Sequence, residues 1–452
     1  MFYKKTFRYY YWFFIEFFKK NGRLILLSFL ISLIGVIAFL SLSPYFKTIF
    51  VKKEIIGIVG DYEISNPPEE ITKKISNGLV TVDSKGEIIP VLANSWEIKN
   101  NGLIYRFHLK DNLFWSDNKE FSALDIKYQF NDVEVKSVDK RTIDFVLKKP
   151  LGIFPIFLDK PIIKYPLIGV AGLYRVGKIK SSFGLLNQVD LIPNLKNLDP
   201  ITYRFYKNES QLINAYKRGE ITEMTVAKKS VADSFSTWKN STVIQKVDYQ
   251  NLLTIFFNFN NQIFNNKNFR EALSLLIDVN KLTKLGESAK GPIPPNSWAY
   301  YPALKAYNYD PETAKKIFEK EGITTSSATL NFVTFYDYYE IANDLVNQFK
   351  EAGLPVNLQI TSTVRLNDFD FLMAFWKVPT DPDQYFFWHS TQKNGNIGNY
   401  KNDKVDLLLE KGRSTYDIEE RKKYYFDFQK TIVNDPPALF LYYPYVYTIK
   451  RK

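Results

Sequence analysis

Proton transfer, nucleophilic attack and metal binding each need particular side chains, and this chain is poor in them. Its 452 residues include no cysteine and two histidines, His108 and His389. Disulfides, thiolate zinc sites and cysteine nucleophiles are therefore excluded, and two distant imidazoles do not make a metal centre. Serines and aspartates are plentiful, but a nucleophilic triad needs a histidine within reach. His108 lies in an alternating strand pattern. His389 lies in Phe387-Trp388-His389-Ser390, where a role in a wall or core fits better than catalysis. No Gly-x-Ser-x-Gly elbow, phosphate loop, dinucleotide fingerprint or His-Glu-x-x-His is present. The pattern is that of a non-enzyme without cofactors. What remains is a local constellation. Asp381-Pro382-Asp383 can clamp a cationic group on a ligand, or can simply shape a turn around its proline. Trp376 and Trp388 can wall a pocket or fill a core, and Tyr385 and Tyr400 are weaker members of the same set.

Mixed secondary structure must position these residues. Tyr105, Phe107 and Leu109 alternate with Arg106 and His108, and Ile143, Phe145 and Leu147 repeat that period of two. Ile55 to Val59 opens the body as a strand, and Leu253, Ile255, Phe257 and Phe259 form another period-two run. Phe269, Ala272, Leu273, Leu276 and Ile277 follow helical spacing. Asp310-Pro311-Glu312 is a helix start, with a cap, a proline in the first turn and an acid at the positive end of the dipole. Gly322 fits its stop. A second helix through Ile341, Leu345, Val346 and Phe349 closes at Gly353, and a strand with Val356, Leu358 and Ile360 on one face follows. Helix-to-strand alternation of this kind predicts α/β lobes. With 45% hydrophobic and 24% charged residues the chain is globular, and its length suits two to three domains.

The N-terminus is different. Residues 24–42, LILLSFLISLIGVIAFLSL, carry no charge, and the uncharged window runs on to Phe46. At about 1.5 Å per residue such a helix spans the ~30 Å core of a bilayer. Lys4, Lys5, Arg8, Lys19, Lys20 and Arg23 precede it against Glu16 alone, five of the chain's net charge of +12. The positive-inside rule then puts the N-terminus in the cytoplasm and the body outside. Tyr9 to Phe14 and Tyr45-Phe46 fit the two interfaces, and 47–53 is a short tether. A cleaved signal peptide is the rival, but its one small-x-small site, Ser41-Leu42-Ser43, runs into Pro44. The remaining positive charge is spread over a long body without a basic run, which argues against nucleic acid.

Several motifs in a fixed order then carry a family resemblance. Asn77-Gly78-Leu79-Val80 precedes Pro90-Val91-Leu92-Ala93-Asn94-Ser95-Trp96, and Gly102 to Leu109 continues as a strand. Trp115-Ser116-Asp117, Phe121 to Phe130, Phe257 to Asn260, Phe269-Arg270-Glu271-Ala272-Leu273, Gly291-Pro292-Ile293-Pro294-Pro295 and Tyr309 to Ala314 follow. Asp368-Phe369-Asp370 to Trp376, Asp381-Pro382-Asp383, Asn399-Tyr400 and Tyr442-Tyr443-Pro444 complete the series. In this order they resemble the family 5 extracellular solute-binding proteins of ABC transporters, the oligopeptide, dipeptide and nickel class.

The resemblance implies a two-lobe, periplasmic-binding-protein-like (type II) α/β clamp. Behind the cytoplasmic segment 1–23 and the transmembrane anchor 24–46 expected from charge and hydropathy, it implies lobe one at 54–248, lobe two at 249–430, and a return to lobe one at 431–452. It implies a monomer that captures peptides or similar polar oligomers between its lobes. The partners implied are ABC permease subunits with their ATPases, and the membrane through 24–42. Trp376, Asp381, Asp383, Tyr385, Trp388 and Tyr400 are its candidate ligand contacts. The chain departs from the family pattern in three ways. A transmembrane helix replaces a lipidated cysteine. The second subdomain after Phe130 is reduced. Lys377-Val378-Pro379-Thr380 stands where peptide binders often place an acid for the ligand's ammonium group. A tethered receptor or adhesion module on the same fold, and an ectohydrolase, are the rival functions.

Overall fold

The computed structural model describes residues 3–50, 53–323, 329–363 and 368–452, with side chains described at 7–38 and from 53 onward within those ranges. It divides into two units, Met1–Glu54 and Ile55–Lys452. The first is a single helix, Tyr3–Phe50, whose stretch Phe7–Ala38 is long and apolar enough to cross a membrane. The helix continues to Phe50, where a tether was expected from Lys47. The side chains of Tyr45, Phe46 and the Ser41-Leu42-Ser43 site lie outside the described residues.

The second unit is organised by a 12-stranded mixed sheet. Its path runs Tyr174–Ser182, Leu185–Pro193, Ile201–Tyr206, Glu54–Val59, Glu223–Val226, Ala438–Arg451, Asn251–Phe257, Phe371–Lys377, Leu330–Phe335, Val356–Thr361. The long strand Ala438–Arg451 joins its two halves. Tyr445 to Arg451 pair with Ser241–Val247, while Ala438 to Pro444 pair with Asn251–Phe257 and Gly286–Ser288. The change of partner falls at Pro444, which has no N–H to donate. Its carbonyl accepts the N–H of Asp248 at 2.8 Å, so the two chain crossings are bonded to each other. The expected boundary at 430/431 falls inside the helix Ile418–Asn434.

Asn251–Phe257 shows why the sheet is covered on both faces. Its side chains alternate between two apolar clusters. Leu253, Ile255 and Phe257 meet the helices Lys267–Leu275, Pro311–Lys320 and Tyr339–Glu351. Leu252 and Phe256 meet Asp403–Ser414 and Ile418–Asn434. The strand therefore reads as a near-continuous apolar run. Asp310 caps its helix by accepting the Thr313 N–H at 3.0 Å. Gly322 and Gly353, at φ 72° and 85°, adopt the left-handed turn that ends a helix at little cost to glycine. The strand at 356 was expected to keep Ile360 on the same inward face as Val356 and Leu358; it is exposed, at the far end of the sheet's edge strand.

In the other half, Glu69–Ile75 covers one face through Ile71 and Ile75, and Glu209–Lys217 and Lys229–Ser236 cover the other. A separate antiparallel sheet, Ala93–Lys99, Ile104–Leu109, Thr142–Leu147, Val133–Ser137, holds its own core of Tyr105, Phe107, Phe145 and Phe154. Phe130 leads into its strand Val133–Ser137 through two residues, Asn131 and Asp132.

Candidate functional site

The strand Phe371–Lys377 delivers the chain into a loop, 378–384, that forms one wall of a trough. The Val378 N–H donates to the Gln250 carbonyl at 2.8 Å, which pins the loop's start. Asp381 Oδ1 then accepts the Asp383 N–H at 2.9 Å, and Asp383 Oδ1 accepts the Tyr385 N–H at 3.2 Å. These side-chain-to-backbone bonds fold the loop around Pro382.

Each acid also has a built-in arginine. Arg421 Nη2 donates to both oxygens of Asp381 at 2.8 and 3.1 Å, with side-chain exposures of 5% and 9%. Arg421 further donates to the Gly412 carbonyl and stacks over the Trp298 ring. Burial works against the Arg421 charge, but Asp381 and Tyr425 more than offset it, so the guanidinium is held above its ordinary range. Arg413 Nη2 pairs with Asp383 at 3.1 Å and lies over the Tyr385 ring at 4.0 Å. For Asp383, burial dominates; it pushes the carboxyl up, with Arg413 opposing and the neighbouring Asp381 charge adding to the rise.

The aromatic candidates stand behind this loop. The Trp376 indole N–H donates to Thr254 Oγ1 at 3.0 Å, and the ring meets Trp388 edge-on at 6.0 Å. Trp388 donates to Gln384, whose own amide bonds the Pro292 carbonyl. Tyr385 stacks on His389 at 4.0 Å, and His389 Nε2 lies 3.2 Å from Glu410. Tyr400 is 2% exposed and its hydroxyl reaches Asp435, which also pairs with Arg270. Of the six candidates, Asp381 lines the trough; Trp376, Asp383, Tyr385, Trp388 and Tyr400 are not among its lining residues.

The facing wall comes from two segments that pattern reasoning did not single out. One is Ser65-Asn66-Pro67-Pro68, leading into Glu69–Ile75. The other is 156–167, including Phe157, Lys160, Pro161 and Tyr165. The main cavity is about 1050 Å³, and hollows of about 240 and 200 Å³ share Thr380 with it. That exceeds the usual room for one small metabolite. The Pro-Pro pair before an acidic helix start, and the prolines at 155, 161 and 166, were the signals available for this wall. Proline fixes the backbone without filling donor positions.

The charges in the trough are largely spoken for. Lys73 pairs with Glu69 at 2.8 Å and approaches Asp159 at 3.9 Å. The Lys73 ammonium, with a smaller contribution from Lys377, holds the Glu69 carboxyl below its ordinary range against its partial burial. Lys377 reaches Glu69 at 3.6 Å, an ion pair across the trough's rim. The two walls also meet where the Trp298 ring lies over Gly86, and where the Ile153 N–H donates to the Arg413 carbonyl at 3.2 Å. Lys160 is exposed and has no carboxylate partner among the described residues.

Comparison with known proteins gives this geometry a context. The model of the bacterial extracellular solute-binding proteins, family 5 Middle, matches residues 87–398. The oligopeptide-binding protein AppA of Bacillus subtilis is 24% identical over 469 aligned residues, covering 86% of each chain. The structure of the ABC transporter substrate-binding protein CtaP from Listeria monocytogenes superposes with a TM-score of 0.74 at 24% identity, covering 88% of this chain and 94% of that one. NikZ from Campylobacter jejuni, solved in complex with Ni(L-His), gives 0.71 at 22% identity, covering 89% and 94%. The α/β fold of the body is thus the periplasmic-binding-protein fold, carried behind an N-terminal apolar helix. A family match over most of the body, on a fold shared with such proteins nearly end to end, settles the assignment: the chain belongs to the bacterial extracellular solute-binding proteins, family 5, non-enzymatic extracytoplasmic receptors of ABC transporters.

Proposed function

We propose that this protein captures peptides or similar polar oligomers outside the cytoplasm and hands them to an ABC permease, while its N-terminal helix stays in the membrane. The observation that carries the ligand class is the trough's lining. It is roomy and mixed, with four prolines, two threonines, Ser65 and Asn66 beside apolar Ile64, Ile156, Phe157 and Ile163, and its carboxylates are paired within the protein. Such a wall recognises backbone amides and shape, with side chains accommodated through water, and so tolerates varied sequences. A fixed ammonium site is not part of this reading, because a ligand amine would have to compete with Arg421 for Asp381. Lys160 is the group offered to a ligand's terminal carboxylate.

The loop 378–381 is the contact wall in this proposal, and Trp376, Asp383, Tyr385 and Trp388 hold it in place from behind, while Tyr400 is held apart from it on Asp435. Segments 54–248 and 249–444 act as the two lobes, turning about the crossings at Asp248 and Pro444. The retained anchor rests on the uncharged window at 24–46 and the cations before it. Calorimetric titration with one peptide in free, N-acetylated and C-amidated forms tests the reading. Equal affinity for the first two and weaker binding of the third is expected. Binding of a nickel–histidine chelate with no peptide affinity would overturn it.

A further inference from the structure

The first unit is longer than a membrane requires. Tyr3–Phe50 is one helix of 48 residues, about 72 Å at 1.5 Å per residue, against a hydrocarbon core of ~30 Å. The uncharged window 24–46 fills that core by itself. The helix before Arg23 must therefore lie outside it.

That outer part is not an ordinary solvated helix. At 100° per residue, Phe7, Tyr10, Tyr11, Phe13, Phe14, Phe17 and Phe18 fall on one side. Arg8, Glu16, Lys19, Lys20 and Arg23 fall on the other, with Tyr9 and Trp12 among them. The rings form ladders: Tyr9, Phe13 and Phe17 stack at successive centroid distances of 6.5 Å, and Phe14 stacks on Phe18 at 6.4 Å. Every one of these rings is exposed in the unit itself. The polar run Lys19-Lys20-Asn21-Gly22-Arg23 separates the aromatic stretch from the spanning stretch, and nothing lies within 4 Å of a Cβ placed on Gly22.

We infer that residues 7–20 form an interfacial helix, lying along the cytoplasmic leaflet with the aromatic face among the acyl chains and the cations toward anionic headgroups. Three observations converge on a lipid occupant. The segment is continuous with the spanning helix, so its start is fixed at headgroup depth. Its net charge complements the anionic cytoplasmic leaflet. Its faces divide as those of an in-plane helix do, and the Tyr and Trp on the polar side suit the headgroup zone. The helix runs unbroken through Asn21-Gly22 here, and the inference places a bend there on the membrane, turning the segment from the spanning direction into the plane. The function is a second hold on the membrane, which fixes the depth of the receptor's anchor.

The inference rests on the retained anchor proposed above. The chain's lack of cysteine makes the test direct, since a single introduced cysteine is the sole labelling site. Full-length protein carrying Tyr10→Cys, Tyr11→Cys, Phe13→Cys, Phe14→Cys, Phe17→Cys, Phe18→Cys or Lys19→Cys is nitroxide-labelled and placed in vesicles of neutral lipid with a third anionic lipid. Oxygen accessibility relative to a water-soluble nickel chelate should oscillate along the segment with a helical period about a constant depth. Removing the anionic lipid should raise nickel accessibility at Phe14 and Phe17 severalfold. A steady loss of depth with distance from Arg23 overturns the inference, as does a periodic profile that appears only when permease subunits are added. A mature protein lacking residues 1–43 overturns both this and the anchor. An intact N-terminus with a non-periodic profile overturns the interfacial helix alone.

Discussion

Replacing Asp381 by Asn distinguishes a structural brace from a ligand clamp. The carboxylate and Arg421 are both buried, and the guanidinium's remaining partners are the Gly412 carbonyl and the Tyr425 hydroxyl. Removing the negative charge leaves a buried cation that these neutral groups cannot compensate. Breaking a buried pair in this way costs about 3–5 kcal/mol. With an unfolding entropy of about 2.1 cal/mol/K per residue over a body of roughly 400 residues, that lowers the melting temperature by roughly 4–6 °C. Changing both partners, Asp381→Leu with Arg421→Met, should recover most of the loss, because no unpaired charge then remains. Scanning calorimetry reads the stability. Titration with free and N-acetylated peptide reads the ligand. The account expects Asp381→Asn to be destabilised, with the two peptides affected alike. If the melting temperature holds while affinity for the free amine alone falls by about 10- to 150-fold, a charge-assisted bond of about 1.5–3 kcal/mol to ligand has been lost. The brace reading is then refuted.

Asp383 carries a pH dependence. Its folded-state pKa is raised by burial, so the folded protein binds this proton more tightly than the unfolded chain does. The stabilisation is complete below the unfolded value of about 4 and is lost as pH rises through the folded value. Asp383→Asn should therefore gain on the wild type as pH is raised from 4 to 7, which melting curves across that range will check. Lys160→Gln should weaken binding of peptides with a free carboxylate by about 2- to 5-fold and leave their C-amides unchanged, as exposed charge pairs give at most ~1 kcal/mol. Gly86→Ala should weaken binding of every peptide form, because φ is 80° and a Cβ would land against Trp298; small-angle scattering should show a less compact bound state. Lys377→Ala removes an exposed pair at the rim and should change melting by less than about 1 °C.

Local grammar made much of the fold legible. Asp310-Pro311 and Gly322 bracket a helix because capping and left-handed termination are decided within a few residues. The alternation at Tyr105 and Phe107 likewise needs nothing beyond the strand itself. The trough was less legible because its two walls come from segments some 200 to 300 residues apart. Asp381 and Asp383 drew attention as adjacent acids, but their state is set by Arg421 and Arg413, residues from two separate helices that spacing cannot connect to the loop. The indoles of Trp376 and Trp388 posed the same difficulty. Whether an aromatic faces a cavity or a core depends on what covers the sheet. Here the covering helices arrive after Asn402, and Thr254, a buried polar residue within an apolar strand, is the local sign that an indole N–H needs a partner inside.

The central claim is that the trough holds peptides of varied sequence. Native mass spectrometry of the full-length protein, released from its own membrane into nanodiscs without refolding, tests it most directly. The account predicts a heterogeneous set of peptide-mass adducts that a single excess peptide displaces, whether or not its amine is acetylated. A single homogeneous adduct of a metal chelate or haem, undisturbed by peptide, would contradict it.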